Sequence, residues 1–193
     1  MKPIKNFKEF IRDGTIKKIS PDLNRSLFLK NEAERRKIFL DELKKKIGIK
    51  EENANYIIEN SYNILSELLR AKMLRSGYSA SGLGAHEAEV SFMGNLSFLD
   101  SEIIFMNDLR YFRNGILYYG KILDKEYAEK VLEILNKIYP KLNNLIKAIE
   151  DAPTLNEKAR LIKAFPSFPG MKIDNLILNG RPLMDNEDFQ KTK

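Results

Sequence analysis

Through the first 150 residues, apolar side chains recur every three or four positions, and no stretch alternates with period two. This pattern predicts helices. A short one spans about Phe7 to Arg12 and stops at Asp13-Gly14. A second opens at Ser20-Pro21-Asp22, a capping sequence with proline at the start, and ends before Gly48. Its stripe is Leu29, Ala33, Leu40, Leu43 and Ile47. A third runs from about Glu52 to Arg75 on Ala54, Ile57/Ile58, Tyr62, Leu65 and Leu68/Leu69. Gly77–Gly84 is a small-residue loop, suited to flexibility or to close backbone approach. A fourth helix starts near Ala85 and carries Ala88, Val90, Phe92, Met93 and Leu96. A fifth covers about Ser101 to Gly120, with Asp100 as its cap. The sixth begins near Asp124 on Ala128, Val131, Leu135, Ile138, Leu142, Leu145 and Ile149, the seam spacing of a bundle, with a kink expected at Pro140.

Long amphipathic helices joined by short loops predict an all-α, up-down helical bundle over residues 1–150. Residues 151–193 hold four of the seven prolines and form a Pro-rich, irregular C-terminal extension, with the boundary near Ala152-Pro153. Within it, Leu155–Phe165 has the pattern of one more helix, and Met171–Leu178 that of a short strand before the Asn179-Gly180 turn signal. Pro182 weakens the return strand of such a hairpin, and the last ten residues are expected to fray.

Composition narrows the chemistry. The chain has 193 residues, no cysteine and one histidine, His86. Disulfides, Cys-ligated metals, thiol nucleophiles and His-cluster metal sites are excluded within it. No segment approaches a membrane span and no apolar signal region opens the chain, so a soluble, cytoplasmic protein without a membrane partner is expected. The net charge is +6, most of it within residues 1–150. That permits a nucleic-acid partner without demanding one.

The densest candidate chemistry lies on the fifth helix, from Asp108 to Lys121. Arg110, Asn114 and Leu117 share one predicted face, as do Asn114, Tyr118 and Lys121. Arginine clamps phosphate, and tyrosine stacks on bases or donates a hydroxyl hydrogen bond. Gly115 and Gly120 thin the helix for a close partner. The alternative is packing: Tyr111, Phe112, Tyr118 and Tyr119 as core or dimer contacts, with the arginines capped by acidic neighbours.

Residues about 20–142 resemble the HEPN domain, a helical-bundle family of prokaryotic toxins, ribonucleases and nucleotidyltransferase partners. The resemblance rests on the Gly77–Gly84 loop, His86-Glu87-Ala88-Glu89-Val90 opening a helix, Arg113-Asn114 late in the next, and a long final helix. Active members carry an Arg, a polar residue, three variable positions and a His, often with a Tyr two residues later. Arg113 and Asn114 match the first two positions. The histidine position holds Tyr118 and the tyrosine position Gly120. A tyrosine hydroxyl, near pKa 10 in water, is a poor base. The resemblance therefore implies a homodimer that binds RNA or a nucleotide near Arg113 and Asn114, with weak or no catalysis. Two alternatives follow from it. One is a metal-independent endoribonuclease in which Tyr118 or His86 supplies the base. The other is an interaction partner of a small nucleotidyltransferase, as in toxin–antitoxin pairs, with Tyr118 or Tyr119 as a modification target.

The remaining candidates are weaker in pattern. His86 follows Gly84-Ala85 beside Glu87 and Glu89, and reads either as a base for Arg113 in a dimer cleft or as a residue hydrogen-bonded locally at a helix start. Glu87 and Glu89 diverge on a helix, so no carboxylate metal site is expected, and no cofactor motif is present. The basic run of Arg35, Arg36, Lys37 and Lys44–Lys46 reads as an RNA-facing surface or as a solvated face paired with Glu32, Glu34, Asp41 and Glu42.

Overall fold

A computed structural model describes residues 4–150 and, for the backbone alone, Ile177–Leu178 and Arg181–Pro182. Six helices pack as a bundle: α1 (Phe7–Arg12), α2 (Leu23–Ile47), α3 (Glu51–Arg75), α4 (Ala85–Ser91), α5 (Asp100–Tyr119) and α6 (Lys125–Glu150). Two three-residue strands, β1 (Ile16–Lys18) and β2 (Tyr78–Ala80), pair antiparallel with Lys17 opposite Ser79. The chain divides into two compact units, Met1–Lys147 and Ala148–Lys193. In the second, β3 (Ile177–Leu178) and β4 (Arg181–Pro182) pair antiparallel across the two residues of the expected turn. The expected helix over Leu155–Phe165, the start of the strand at Met171 and the last ten residues lie outside the described residues. Among the described residues, no helix is long and apolar enough to cross a membrane.

Helix α3 is the axis of the first unit. Fourteen of its residues are buried, among them Ile57, Ile58, Leu65, Leu68 and Leu69. Helix α2 lies along it, capped at one end by the Asp22 carboxylate on the Arg25 amide (3.0 Å) and stopped at the other by Gly48. Ser26 Oγ donates to the Ala71 carbonyl at 2.8 Å, fixing the register of the pair. The α2 stripe is partly as expected. Ala33 and Leu40 are buried and Leu29 and Leu43 are half-buried, but Ile47 at the helix end stays 54% exposed. Helix α6 buries Ala128, Val131, Leu135, Ile138 and Leu142, and runs through Pro140 to Glu150. Lys137 and Lys141 bind it to Glu102 of α5 at 3.3 and 2.6 Å.

Two local expectations are corrected. Residues 1–150 are not purely helical: part of the Gly77–Gly84 loop is strand β2. A three-residue strand is too short for alternation to show, and its partner lies some sixty residues away. The α2–α3 hairpin brings the two together. Ile19 N–H donates to the Gly77 carbonyl (2.9 Å), and Gly77 sits at φ +79° with a Cβ position 3.0 Å from the Ile19 oxygen. Helix α4 is also shorter than its apolar pattern suggests. It ends at Ser91, and Phe92–Leu96 continues as a 3₁₀ helix that still buries Phe92 and Met93.

Candidate functional site

Helices α3, α4 and α5 meet in a polar seam within an otherwise apolar bundle. On α3, Tyr62, Ser66 and Arg70 follow one another at four-residue spacing and so share a face. On α4, Glu89 points back to this row. Its side chain is 5% exposed and accepts from Arg70 Nε (2.8 Å) and Nη2 (3.1 Å), with Ser66 Oγ at 3.5 Å. His86 Nδ1 lies 3.2 Å from the same carboxylate. Burial pushes the Glu89 carboxyl up, but the hydrogen bonds from His86 and Arg70, with their charges, hold it below the usual carboxylate range. A carboxylate only accepts, so His86 Nδ1 carries the hydrogen and Nε2 is left as the acceptor of the neutral ring.

The other side of the seam belongs to α5. Arg113 Cζ sits 5.7 Å from the centre of the Tyr62 ring, and that ring lies 6.4 Å from the His86 ring. Tyr62 is buried between the two. Burial first, and the charge of Glu89 second, push its hydroxyl above the usual tyrosine range, against Ser66, Arg110 and Arg113. Tyr62 is therefore a neutral platform at physiological pH, not a base. Arg113 Nη1 donates to Asn114 Oδ1 (3.3 Å), while its Nε is buried without a hydrogen-bond partner. Arg110 donates from Nε and Nη2 to Asn107 Oδ1 (3.1 and 2.9 Å) and reaches Glu87 at 3.6 Å. Glu87 and Glu89 do diverge, one toward α5 and the other toward α3.

The structure thus gathers Arg110, Arg113, Asn114 and His86 around Tyr62. Tyr118 is 71% exposed near the end of α5, outside this cluster. Lys121 is not on the same helix face as Asn114 and Tyr118. Helix α5 ends at Tyr119, Gly120 turns left-handed at φ +61°, and the Lys121 amide returns to the Gly115 carbonyl. Its ammonium settles 4.3 Å from the Phe112 ring centre. At Gly115 the Lys121 stem stands 3.3 Å from where a Cβ would be. Arg35 and Arg36 lie on α2, paired with Glu32 and with Glu67 (3.1 Å), and not with any residue of the cluster. Among the described residues, no group of three or more His, Asp or Glu side chains is placed to hold a metal ion.

Ser66 and Arg70 are the seam residues that pattern reading missed, and Glu89 it weighed only as a neighbour of His86 and as a metal ligand. Tyr62 was legible only as core. The signal was the four-residue spacing that puts two polar side chains, Ser66 and Arg70, on the same face as Tyr62. Chemically, the seam offers an arginine with an unfilled buried N–H, a platform ring, and an imidazole whose tautomer is set by a carboxylate. Comparison with models of protein families, with curated proteins and with solved structures finds no match to this chain.

Proposed function

We propose that this chain is a HEPN-like helical bundle that acts as a homodimer and binds RNA, or a nucleotide, through Arg113 and Asn114. The observation that carries this reading is the Arg113 guanidinium. It is held over the Tyr62 ring with Nε buried and unpartnered. Nη1 is turned to Asn114, and Nη2, without a hydrogen-bond partner among the described residues, is the donor that an incoming phosphate oxygen can meet. The half-buried Asn114 amide orients the guanidinium. Fluorescence anisotropy on a labelled RNA tests the reading. Wild type is expected to bind, and Arg113→Ala to bind at least about tenfold more weakly, the worth of one charge-assisted contact. Equal binding by the two proteins removes Arg113 from the site.

A specific observation favours a second reading, metal-independent RNA cleavage. The Glu89 carboxylate presents His86 Nε2 as a proton acceptor, which is what activation of a 2′-hydroxyl requires. Tyr118 has no such support at its exposed position. Cleavage in EDTA that survives Tyr118→Phe but is lost in His86→Ala is the expected pattern. RNA left intact by the wild type ends this reading and leaves the binding role standing.

A further inference from the structure

Beside His86, a cleft of about 190 Å³ opens between the α2 start, the α3 end, β2 and α4. Arg25, Arg70, Ser79, His86 and Glu89 line it. Tyr62, Arg110 and Arg113 do not. The volume is about six water molecules' worth, enough for a phosphate group and part of the sugar that carries it.

The electrostatics of this cleft are asymmetric. Glu89 is its one acidic wall, and that charge is already consumed. Its oxygens are taken by Arg70 and His86. Arg70 uses Nε and Nη2 on Glu89 and keeps Nη1 without a partner among the described residues. Arg25 is exposed at the rim, and among the described residues its side chain has no ion pair or hydrogen bond. Lys17, exposed and likewise unpaired, stands cross-strand from Ser79. The cleft therefore has more fixed cations than anions, and a bidentate guanidinium is free at its mouth.

We propose that this cleft is a binding site for a terminal phosphate group, with Arg25 clamping the phosphate oxygens and His86 Nε2 sharing a proton with one of them. A neutral Nε2 accepts from a protonated phosphate oxygen, and a protonated Nε2 donates to an ionised one. One proton thus bridges Nε2 and a phosphate oxygen whether it starts on the ring or on the ligand. The titratable and charged groups on the elements around the ring are Glu87 and Glu89 of α4, Tyr62 and Arg70 of α3, Arg25 of α2 and Arg110 of α5; Glu89 pairs with Arg70 and Glu87 with Arg110. Free nucleotides and the 5′ end of RNA carry the same group. The site is independent of Arg113, so either assignment can fail without the other.

Because His86 is the sole histidine, its ring Cε1–H signal needs no assignment. The test is ¹H–¹³C NMR of the full chain titrated with inorganic phosphate, with sodium chloride at matched ionic strength as control. The expected result is a saturating shift of the His86 signal that chloride does not reproduce. Arg25→Gln is expected to raise the apparent Kd at least about tenfold, and Arg113→Gln to change it less than about twofold. An unmoved signal, a shift that stays linear in phosphate, one that chloride reproduces, or an unchanged Kd in Arg25→Gln overturns the site. Arg25 is exposed, so its variant tests the contact and not the fold; a preserved amide spectrum checks this. Competition by AMP and by one RNA with a 5′-phosphate or a 5′-hydroxyl then sorts the source. Competition by the phosphorylated RNA and not its hydroxyl twin assigns a chain end, and competition by AMP alone assigns a free nucleotide.

Discussion

His86 Nδ1 lies 3.2 Å from Glu89 Oε2, and the same carboxylate receives Arg70 through two nitrogens. One buried anion thereby joins α4 to α3 and sets the tautomer of the only imidazole in the chain. Structure and chemistry share a residue here, and the consequences separate by measurement.

Replacing that anion weakens the fold. Glu89→Gln leaves Arg70 and His86 facing an amide. The expected loss is about 2 kcal/mol, less than for a fully buried pair because the Arg70 side chain keeps 33% of its surface in water. Urea unfolding at pH 7 reads it as a lower midpoint with an unchanged slope. Since the folded state holds the Glu89 carboxyl below its unfolded value, its stabilisation is present above about pH 4.3 and drains away as the pH falls through the depressed value. Glu102 acts with the same sign: burial pushes its carboxyl up, and Lys141, the Leu99 amide and Lys137 together hold it down. Acid unfolding midpoints are therefore expected to shift less per pH unit in Glu89→Gln and Glu102→Gln than in wild type.

Tyr127 behaves oppositely. Burial, and then the charge of Asp108, push its hydroxyl up to about 12, and the oxygen has no hydrogen-bond partner. The raised value means its contribution is intact below about pH 10 and is lost as the pH climbs toward 12. Tyr127→Phe removes an unsatisfied buried oxygen while keeping the ring against Phe112, 5.0 Å away. It is expected to stabilise by about 1 kcal/mol at pH 7 and to flatten the alkaline loss, both read by thermal unfolding.

Lys72 is a buried cation, 7% exposed, with no ion pair among the described residues. Burial, and then the charge of Arg75, lower its ammonium from the usual lysine value. Lys72→Met keeps the stem and drops the charge. Chemical denaturation is expected to show a gain of about 1 kcal/mol, and a loss there means the ammonium is better accommodated than its burial implies.

Gly77→Ala tests the strand junction. A Cβ at φ +79° and 3.0 Å from the Ile19 oxygen strains the backbone and parts β1 from β2. The expected cost is about 1–3 kcal/mol by thermal unfolding.

RNA binding should separate the two basic regions. Arg113→Ala is expected to lower the slope of log K against log salt by about 0.7, one phosphate contact on a single strand. The Arg35→Ala/Arg36→Ala double variant is expected to leave it unchanged, because both side chains are already paired with Glu32 and Glu67. Anisotropy at three salt concentrations measures both.

The helices were legible because their causes are local. Asp22 and Gly48 bound α2, and Ala128, Val131, Leu135, Ile138 and Leu142 keep one spacing along α6 and are buried together. What stayed illegible depends on distant partners. Three-residue strands leave no periodic trace. The return of Lys121 to Gly115 follows from a left-handed turn at Gly120 that ends α5 one residue before the predicted limit.

The order of apolar and polar positions, with its caps and glycines, determined by itself that this protein is a bundle of long helices with a single imidazole. Only the tertiary structure decided which polar residues meet. Helical spacing dictates a face but not what packs against it. Tyr62, Ser66 and Arg70 became a site because the short α4 crosses their row and sets Glu89 and His86 on one side of it, while α5 lays Arg113 on the other. Burial then made that meeting matter, since a charge removed from water must find its partner within the fold.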